Sequence, residues 1–306
     1  MSAHEWEDKF ILARELHEAL IDAKYLCALL GESSAKCIEM KEDGLIIVID
    51  INNKRLKMYI NDEYGDILIT IICNESYEPE ETNMVCKLFE YYKEAPEFVM
   101  FDVGANVGWY SLNALKRIPN ISLYAFEPSP VTYARLINNL EFNGFSRKVA
   151  HNIGFYHENG KLDFYYDKVR GGASSLLNIQ DKDDIDKIEV DMMTMDDWAK
   201  KNQISRVDFI KCDVEGAELF VYKGGMEIIE NSKPLIFSEM LRKWSAKFGY
   251  HPNDIIDLLA SVGYECFVIK GDNLKKFDRV NEETIETNYF FLHPQKHAGI
   301  MSELCR

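Results

Sequence analysis

From Glu97 onward the chain alternates short apolar runs with segments of helical periodicity, and this alternation limits the folds open to it. Strands that alternate with helices predict a parallel sheet covered by helices on both faces. In such sheets ligands bind at the carboxyl ends of the strands. We predict strands at residues 98–102, 122–126, 148–153, 207–212, 235–239, 264–269 and 288–292.

Helix boundaries support the same reading. Helices are predicted from Gly108, from the Ser129-Pro130 pair to Asn143-Gly144, and from Pro252 to about Gly263. Residues 154–191 have no clear pattern, and we expect an irregular stretch there. Its glycine- and serine-rich segment 170–175 fits either a lid over an acceptor or an ordinary surface loop.

The first 76 residues form a different pattern. Apolar spacing predicts a helix at 10–30, and strand-like runs follow at 45–51, 55–60 and 66–73, with a hairpin turn at Asn52-Asn53. We therefore predict two units, a helix with a small β-meander (1–76) and an α/β domain (77–306) that opens with a helix at 80–93. The meander would bind an acceptor or, through its free edge, pair two chains as a homodimer.

Charge and composition exclude several classes of function. The 306 residues carry a net charge of −16 without a basic run, which disfavours a nucleic-acid partner. No CxxC pair marks a zinc site among the seven cysteines. No apolar run approaches the roughly 20 residues that span a bilayer, and the N-terminus is acidic, so we expect a cytoplasmic protein without a membrane partner.

The most informative segment runs from Phe98 to Ser111, where a buried strand ends in Asp102 and a loop with Gly104 and Gly108 leads into a helix. The loop lacks the GxGxxG pattern that seats a dinucleotide pyrophosphate. An acidic strand end repels phosphate but attracts an ammonium group. S-adenosylmethionine has an ammonium, a sulfonium and no phosphate.

The next two strand ends extend this donor site. Glu127 lies where a carboxylate accepts hydrogen bonds from ribose hydroxyls, Pro128 could pack on adenine, and Asn152 could read the adenine edge. If Asp102 and Glu127 only cap helices, the prediction fails. The expected donor-site residues are Glu78, Asp102, Gly104, Asn106, Gly108, Trp109, Ser111, Glu127, Pro128, Ser129, Asn152 and Asp213.

Three motifs together resemble the FkbM-type methyltransferases: residues 102–108 (DVGANVG), 126–128 (FEP) and 211–218 (KCDVEGAE). The resemblance covers about residues 75–292. It implies a class I methyltransferase fold, Rossmann-like, with seven strands of which the last is antiparallel. It also implies S-adenosylmethionine as methyl donor and a hydroxyl of a sugar or natural product as acceptor.

Methyl transfer from a sulfonium needs alignment and, for a hydroxyl acceptor, a base. Asp213 and Glu215 follow the fourth strand, and Glu239 ends the fifth. These three carboxylates are candidate bases, and they are also candidate ligands of Mg²⁺, which prefers oxygen. His251 is a further candidate base. The alternatives are helix-start acids favoured by the dipole, a pairing of Glu239 with Arg242 or Lys243, and a helix-flanking role for His251.

Three other functions remain open from the sequence. One is an NAD-dependent oxidoreductase, which the missing GxGxxG and the acid at the first strand end disfavour. Another is a non-catalytic binding module of the same fold, which the intact set of acidic residues disfavours. The third is methylation of nitrogen in a protein or nucleic acid: the acidity disfavours nucleic acid, and the absence of an Asn-Pro-Pro-Tyr-type tetrad after the fourth strand, a motif that resembles those enzymes, disfavours amide or exocyclic nitrogen.

Overall fold

The predicted alternation of strands and helices is present in a computed structural model, which describes residues 35–41, 44–51, 53–60, 76–166, 174–178 and 186–305. The strands of the main sheet are β4 (Phe98–Val103), β5 (Ile121–Phe126), β6 (Ala150–His151), β10 (Phe209–Cys212), β11 (Leu235–Glu239), β12 (Glu265–Lys270), β13 (Asn273–Lys276) and β14 (Asn288–Leu292). These eight strands lie in the order β13-β12-β14-β11-β10-β4-β5-β6.

The sheet is parallel from β6 to β11, and β14 runs antiparallel between β11 and β12. The predicted Rossmann-like fold with an antiparallel last strand is therefore confirmed. The short hairpin strand β13 adds an eighth strand at the edge. From β4 the chain continues to one side through β5, and from β10 to the other side through β11. This switch of direction between β4 and β10 is where an open α/β sheet forms a ligand crevice.

Helices cover both faces of this sheet. They are α1 (Pro79–Tyr92), α2 (Trp109–Arg117), α3 (Pro130–Phe142), α4 (Met195–Lys201), α5 (Glu218–Lys223), α6 (Met226–Ser232), α7 (Arg242–Ser245), α8 (Pro252–Ala260) and α9 (Pro294–Leu304). One hydrophobic core contains residues of α1, α2 and α3, and a second contains residues of α4, α5, α6 and α8. The predicted helix starts at Ser129-Pro130 and Pro252 are correct, and the side chains of Ser129, Thr194 and His251 each cap the helix that follows.

The N-terminal meander packs against the main domain. It consists of β1 (Ala35–Lys41), β2 (Gly44–Ile51) and β3 (Lys54–Ile60), paired antiparallel in that order. Asn139 of α3 binds the β3 backbone at Tyr59, and Asn143, which caps the end of α3, binds it at Lys57. Residues of β2 and β3 also belong to the core around α1 to α3. The expected boundary at residue 76 therefore separates the antiparallel meander from the α/β sheet, but the two contribute residues to one hydrophobic core. The predicted helix at 10–30 and strand at 66–73 lie outside the described residues.

The expectation of an irregular stretch at 154–191 was wrong for the residues that the structure describes. β7 (Gly154–Phe155), β8 (Gly160–Tyr166) and β9 (Asp186–Met193) form a separate sheet in the order β7-β9-β8. We call this sheet the insert sheet. Alternate residues on β8 and β9 are apolar and pack on one another, namely Leu162, Phe164, Ile188, Val190 and Met192. Among the described helices, none is long and apolar enough to cross a bilayer.

Candidate functional site

The loop after β4 turns sharply because three of its residues adopt left-handed conformations. Gly104 has a φ of 71°, Asn106 of 50° and Gly108 of 91°. A Cβ on Gly104 would lie 1.8 Å from the backbone oxygen of Asp213, and one on Gly108 would lie 2.7 Å from Leu136. The sequence suggested that these glycines let a ligand approach. In the structure they let the loop contact its own neighbours, which holds it against the end of β10.

Glu127 joins this loop to the end of β5. Its Oε2 accepts a hydrogen bond from the Asn106 N–H at 3.0 Å, and its Oε1 accepts one from the Ser129 N–H at 2.9 Å. The side chain is nearly buried yet still lines a pocket. Burial raises the pKa of Glu127 to about 7, against the opposing effect of the two N–H donors. Its remaining lone pairs are free to accept hydroxyl donors.

Asp102 lies beneath the loop and is not among the residues that line the pocket. Its Oδ2 accepts a hydrogen bond from the Ser111 hydroxyl at 2.6 Å, and its Oδ1 lies 3.8 Å from Nζ of Lys211. Oδ1 is fully buried and has no hydrogen-bond partner within the described part of the chain. Burial raises the pKa of Asp102, while Lys211 and Ser111 lower it.

Lys211 is a buried cation that connects three parts of the site. Its Nζ donates to the Gly104 carbonyl at 2.7 Å and lies 3.4 Å from Oδ2 of Asp213. Burial would lower the pKa of Lys211, but Asp213, Asp102 and Glu78 outweigh it and raise that pKa. Lys211 therefore stays charged and ties the loop after β4 to the carboxylates. We call this loop (residues 104–108) the donor loop, because the sequence predicts donor binding there.

The pocket lies between this loop, the end of β10 and the insert sheet. It encloses about 620 Å³, part of which is open to solvent. One wall is polar and includes Asn106, Glu127, Asp213 and Glu215, and the opposite wall is mostly apolar: Pro128, Phe155, Phe164, Leu176 and Met192.

At one end of the pocket, Asp213, Glu215 and Glu239 form what we call the acidic cluster. Each offers a carboxylate oxygen, and the three oxygens lie within 4.8 Å of one another. β10 and β11 are parallel neighbours, so the residues that follow them meet at one edge. Among the described residues Glu239 has no ion pair with Arg242, which donates to backbone carbonyls instead, or with Lys243, which lies over the Trp244 ring.

Glu218 holds the loop after β10, which carries Asp213 and Glu215, through hydrogen bonds to its backbone. Its Oε1 accepts hydrogen bonds from the N–H groups of Val214 and Gly216, at 3.1 and 3.0 Å. Tyr250 donates to the other carboxylate oxygen of Glu218 and to the Gly216 carbonyl. The sequence favoured a solvated helix-start acid at Glu218. Instead, the side chain is buried because it replaces the backbone partners that this loop lacks.

Glu78 approaches the acidic cluster from the start of α1. It has a left-handed φ of 44°, and its Oε2 accepts a hydrogen bond from the Tyr110 hydroxyl at 2.6 Å. Burial, and then the charge of Asp213, raise the pKa of Glu78 to about 7. The pKa of the neighbouring Tyr77 is also raised, by burial and by the charges of Glu78 and the acidic cluster.

Mutual repulsion shapes the electrostatics of the cluster. Burial raises the pKa of Glu239 well above its ordinary value, and Asp213 and Glu215 raise it further. Burial and Asp213 do the same for Glu215. Carboxylates whose pKa is raised in this way bind a proton more strongly than exposed ones, which suits general-base work or the binding of a cation.

Several predicted site residues have other positions. Trp109 is buried in the core, with its Nε1 donating to Thr82. Ser111 supports Asp102, and Ser129 caps α3. Asn152 donates to the Glu127 and Pro128 carbonyls, and so holds that turn. His251 is exposed and caps α8, with Nδ1 accepting from the Asn253 N–H. The structure does not bring His251 into the acidic cluster.

Sequence reasoning missed Lys211 and the apolar wall from the insert sheet. The alternation of Leu162 with Phe164, and of Val190 with Met192, carried the information for that wall. Lys211 is placed by the register of β10 on β4, in which it pairs with Asp102, and no sequence signal gave that register.

The site fits a methyl donor that carries positive charge at one end and an apolar aromatic ring at the other. The buried Oδ1 of Asp102 still needs a hydrogen-bond donor. The charge of Lys211 acts on the carboxylates of Glu78, Asp102, Asp213 and Glu215, and Glu239 lies with Asp213 and Glu215 in the acidic cluster. The apolar wall offers contacts for adenine. The acidic cluster has the oxygen ligands that Mg²⁺ prefers.

In comparisons with known proteins the chain is similar to methyltransferases. The model of the methyltransferase FkbM domain matches residues 102–266, more than half of the chain. Methyltransferase 1 of Beauveria bassiana is 28% identical over 142 residues, which cover 40% of this chain and 56% of that protein. The 2-O-methyltransferase NoeI of Sinorhizobium fredii is 28% identical over 159 residues, which cover 48% and 64%.

The chain thus spans less than two thirds of the length of these two relatives. Among solved structures, the FkbM methyltransferase from Methylobacillus flagellatus is similar with a TM-score of 0.42 and 16% identity. That match covers 74% of this chain and 52% of the other.

Proposed function

The chain belongs to the methyltransferase FkbM domain family, as its motifs predicted, and we propose that it transfers a methyl group from S-adenosylmethionine to a hydroxyl oxygen of a small molecule or carbohydrate. The observation that carries this proposal is the shared position of Asp213. It lines the donor pocket and is also a member of the acidic cluster. A donor and an acceptor can therefore meet at one carboxylate.

The donor half of the pocket has a group for each part of the donor. Glu127 accepts hydrogen bonds from the ribose hydroxyls, because it is held at the strand end with lone pairs to spare. Phe164, Leu176 and Met192 pack on the adenine. Asp213, which lines the pocket, attracts the ammonium and sulfonium charges, while Asp102 and Lys211 hold the loop after β4 beneath it. Of the sequence-predicted donor residues, Trp109, Ser111, Ser129 and Asn152 act by holding these groups in place.

The acidic cluster removes the hydroxyl proton. Bound S-adenosylmethionine supplies an activated methyl group, so this chain has to align the acceptor and take one proton. We assign the base to Glu239, because neither a hydrogen bond nor an ion pair engages its carboxylate within the described part of the chain. Its raised pKa makes it a stronger base than an exposed carboxylate. As the acceptor oxygen bonds to the methyl carbon, the S–C bond breaks and its electron pair stays on sulfur.

A divalent cation is the second way in which this cluster could serve the same reaction. Asp213, Glu215 and Glu239 would hold Mg²⁺, which would lower the pKa of the acceptor hydroxyl. The close approach of three carboxylates favours this role, because a cation relieves their repulsion.

A hydroxyl acceptor is supported by the name of one relative, a 2-O-methyltransferase. The high negative charge of the site agrees with an acceptor that is neutral where it reacts.

The test is a methyl-transfer assay with labelled S-adenosylmethionine and a panel of free sugars and glycosides, run with Mg²⁺ and with a chelator. Label transferred to a sugar hydroxyl, and lost by at least about 100-fold in Glu239→Gln, supports the proposal. Glu94→Gln, at an exposed position just after α1, is the control. Binding of NAD in preference to S-adenosylhomocysteine would favour an oxidoreductase, and donor binding without transfer to any acceptor would favour a binding module.

A further inference from the structure

Ser175 links strand β8 of the insert sheet, which lines the donor pocket, to the loop that carries Glu215 of the acidic cluster. Its backbone pairs with Tyr165 of β8, through the Tyr165 N–H at 2.8 Å and the Ser175 N–H at 3.1 Å. Its hydroxyl donates to the backbone carbonyl of Glu215 at 2.9 Å. The residue is 1% exposed, whereas its neighbours Ser174 and Leu176 line the donor pocket. One side chain thus connects the insert sheet to the loop after β10.

The Glu215 backbone needs such support. Its φ is 53°, and Gly216 follows with a φ of 102°. A left-handed conformation is unfavourable for a residue with a side chain, so neighbouring contacts must hold it. Glu218 binds the N–H groups on either side of Glu215, and Ser175 binds the Glu215 carbonyl. This turn places the Glu215 carboxylate with Asp213 and Glu239.

We propose that Ser175 is a positioning residue that couples donor binding on the insert sheet to the placement of the Glu215 carboxylate. When the adenine of the donor packs on Phe164, Leu176 and Met192, it fixes β8 and residues 174–178. The Ser175 hydroxyl then holds the Glu215 turn in the conformation that completes the acidic cluster. This inference rests on the proposed function, because it takes the donor to bind in this pocket. Such coupling is reciprocal, so an ordered Glu215 turn also favours donor binding.

The experiment is hydrogen exchange of the full chain with and without S-adenosylhomocysteine, read at residues 174–178 and 213–217. In the wild type we expect the ligand to slow exchange in both segments. The expected factor at 213–217 is roughly fivefold, as for one net hydrogen bond. In Ser175→Ala the ligand should still protect 174–178, but protection of 213–217 should change less than about twofold. Ser175→Thr keeps the hydroxyl and should restore the wild-type response.

Two further variants separate coupling from a general loss of stability. Ser232 is also a buried serine, and its Oγ accepts a hydrogen bond from the Val207 N–H, away from the pocket. Ser232→Ala should lower stability yet keep the ligand-dependent protection of both segments. Phe164→Ala should weaken S-adenosylhomocysteine binding roughly tenfold, because it removes an aromatic contact to the base. Ligand protection of 213–217 that is equal in Ser175→Ala and wild type would overturn this inference alone. Absence of binding to the wild type would overturn the proposed function and this inference together.

Discussion

The Nζ atom of Lys211 lies 3.4 Å from Oδ2 of Asp213, and both side chains project from the end of one buried strand. Lys211 is 4% exposed and is also the cation nearest Asp102, which is 1% exposed. The donor loop and the acidic cluster are therefore held by one internal charge. Removal of that charge should affect the stability of the fold as well as donor binding.

We expect Lys211→Met to lower the free energy of unfolding by about 3–5 kcal/mol, because it leaves Asp102 buried without its cation. Urea denaturation measures this. The double variant Asp102→Asn with Lys211→Met should regain a large part of the loss, since the fully buried Asp102 is then no longer a charge without its cation. Equal stability of the single and double variants would show that the ion pair does not hold the loop.

Gly104→Ala should abolish donor binding, because the new Cβ would lie 1.8 Å from the Asp213 carbonyl oxygen and push the loop from β10. Gly144→Ala is a matched control. Gly144 also has a left-handed φ, of 81°, but a Cβ added there would have no atom within 4 Å. The free energy of unfolding of the control should fall by only about 1–2 kcal/mol, the cost of a left-handed alanine, and donor binding should be kept. Calorimetry with S-adenosylhomocysteine measures donor-site binding in both variants.

The transfer rate should depend on pH through the acidic cluster. Burial and neighbouring carboxylates raise the pKa of Glu239, so the base is protonated at low pH. We expect kcat to rise with pH through an apparent pKa clearly above the value of about 4.3 for an exposed Glu, and then to level off. Glu215→Gln removes one source of repulsion and should move this apparent pKa downward. A rate that is independent of pH from about 5 to 9 would argue against a carboxylate base.

Stability should also depend on pH. Burial raises the pKa values of Glu78, Glu127 and Glu218 to about 7, above their unfolded values near about 4.3. Such groups favour the fold fully below the unfolded pKa, and this contribution is lost as pH rises through the folded pKa. We therefore expect the urea midpoint to fall between about pH 4.5 and pH 7 when no donor is present.

Glu218→Gln should flatten that fall, because the amide oxygen still accepts hydrogen bonds from Val214 and Gly216 without gaining charge. Glu94→Gln removes one exposed charge and should leave the slope nearly unchanged. If both variants had the wild-type slope, buried carboxyls would not be its source.

The α/β domain could be predicted from sequence because its information is local. Strand β11 and strand β14 begin and end at the predicted residues, and Ser129 with Pro130 marks the start of α3. Each depends on apolar runs or capping residues that neighbours in sequence define. The insert sheet was not predicted, because its strands are separated by long polar segments and are stabilised by contacts between distant residues.

The site was predicted only in part for a similar physical reason. Asp213, Glu215 and Glu239 follow strand ends, and the order of strands brings them together as expected. The sequence could not show that Asp102 faces Lys211 instead of the pocket, since that follows from the register of β10 on β4. Nor could it show that His251 is used to cap α8, because a helix-flanking histidine fits both roles.

Calorimetry with S-adenosylhomocysteine on the wild type and on Asp102→Asn and Glu127→Gln, with and without Mg²⁺, tests the donor site most directly. We expect micromolar binding to the wild type and a loss of at least about tenfold in each variant, because Glu127→Gln removes a charged acceptor from the pocket and Asp102→Asn removes a counter-charge of Lys211, which holds the loop after β4. Binding that persists unchanged in both variants, or no binding to the wild type under either condition, would contradict the assignment of this pocket to S-adenosylmethionine.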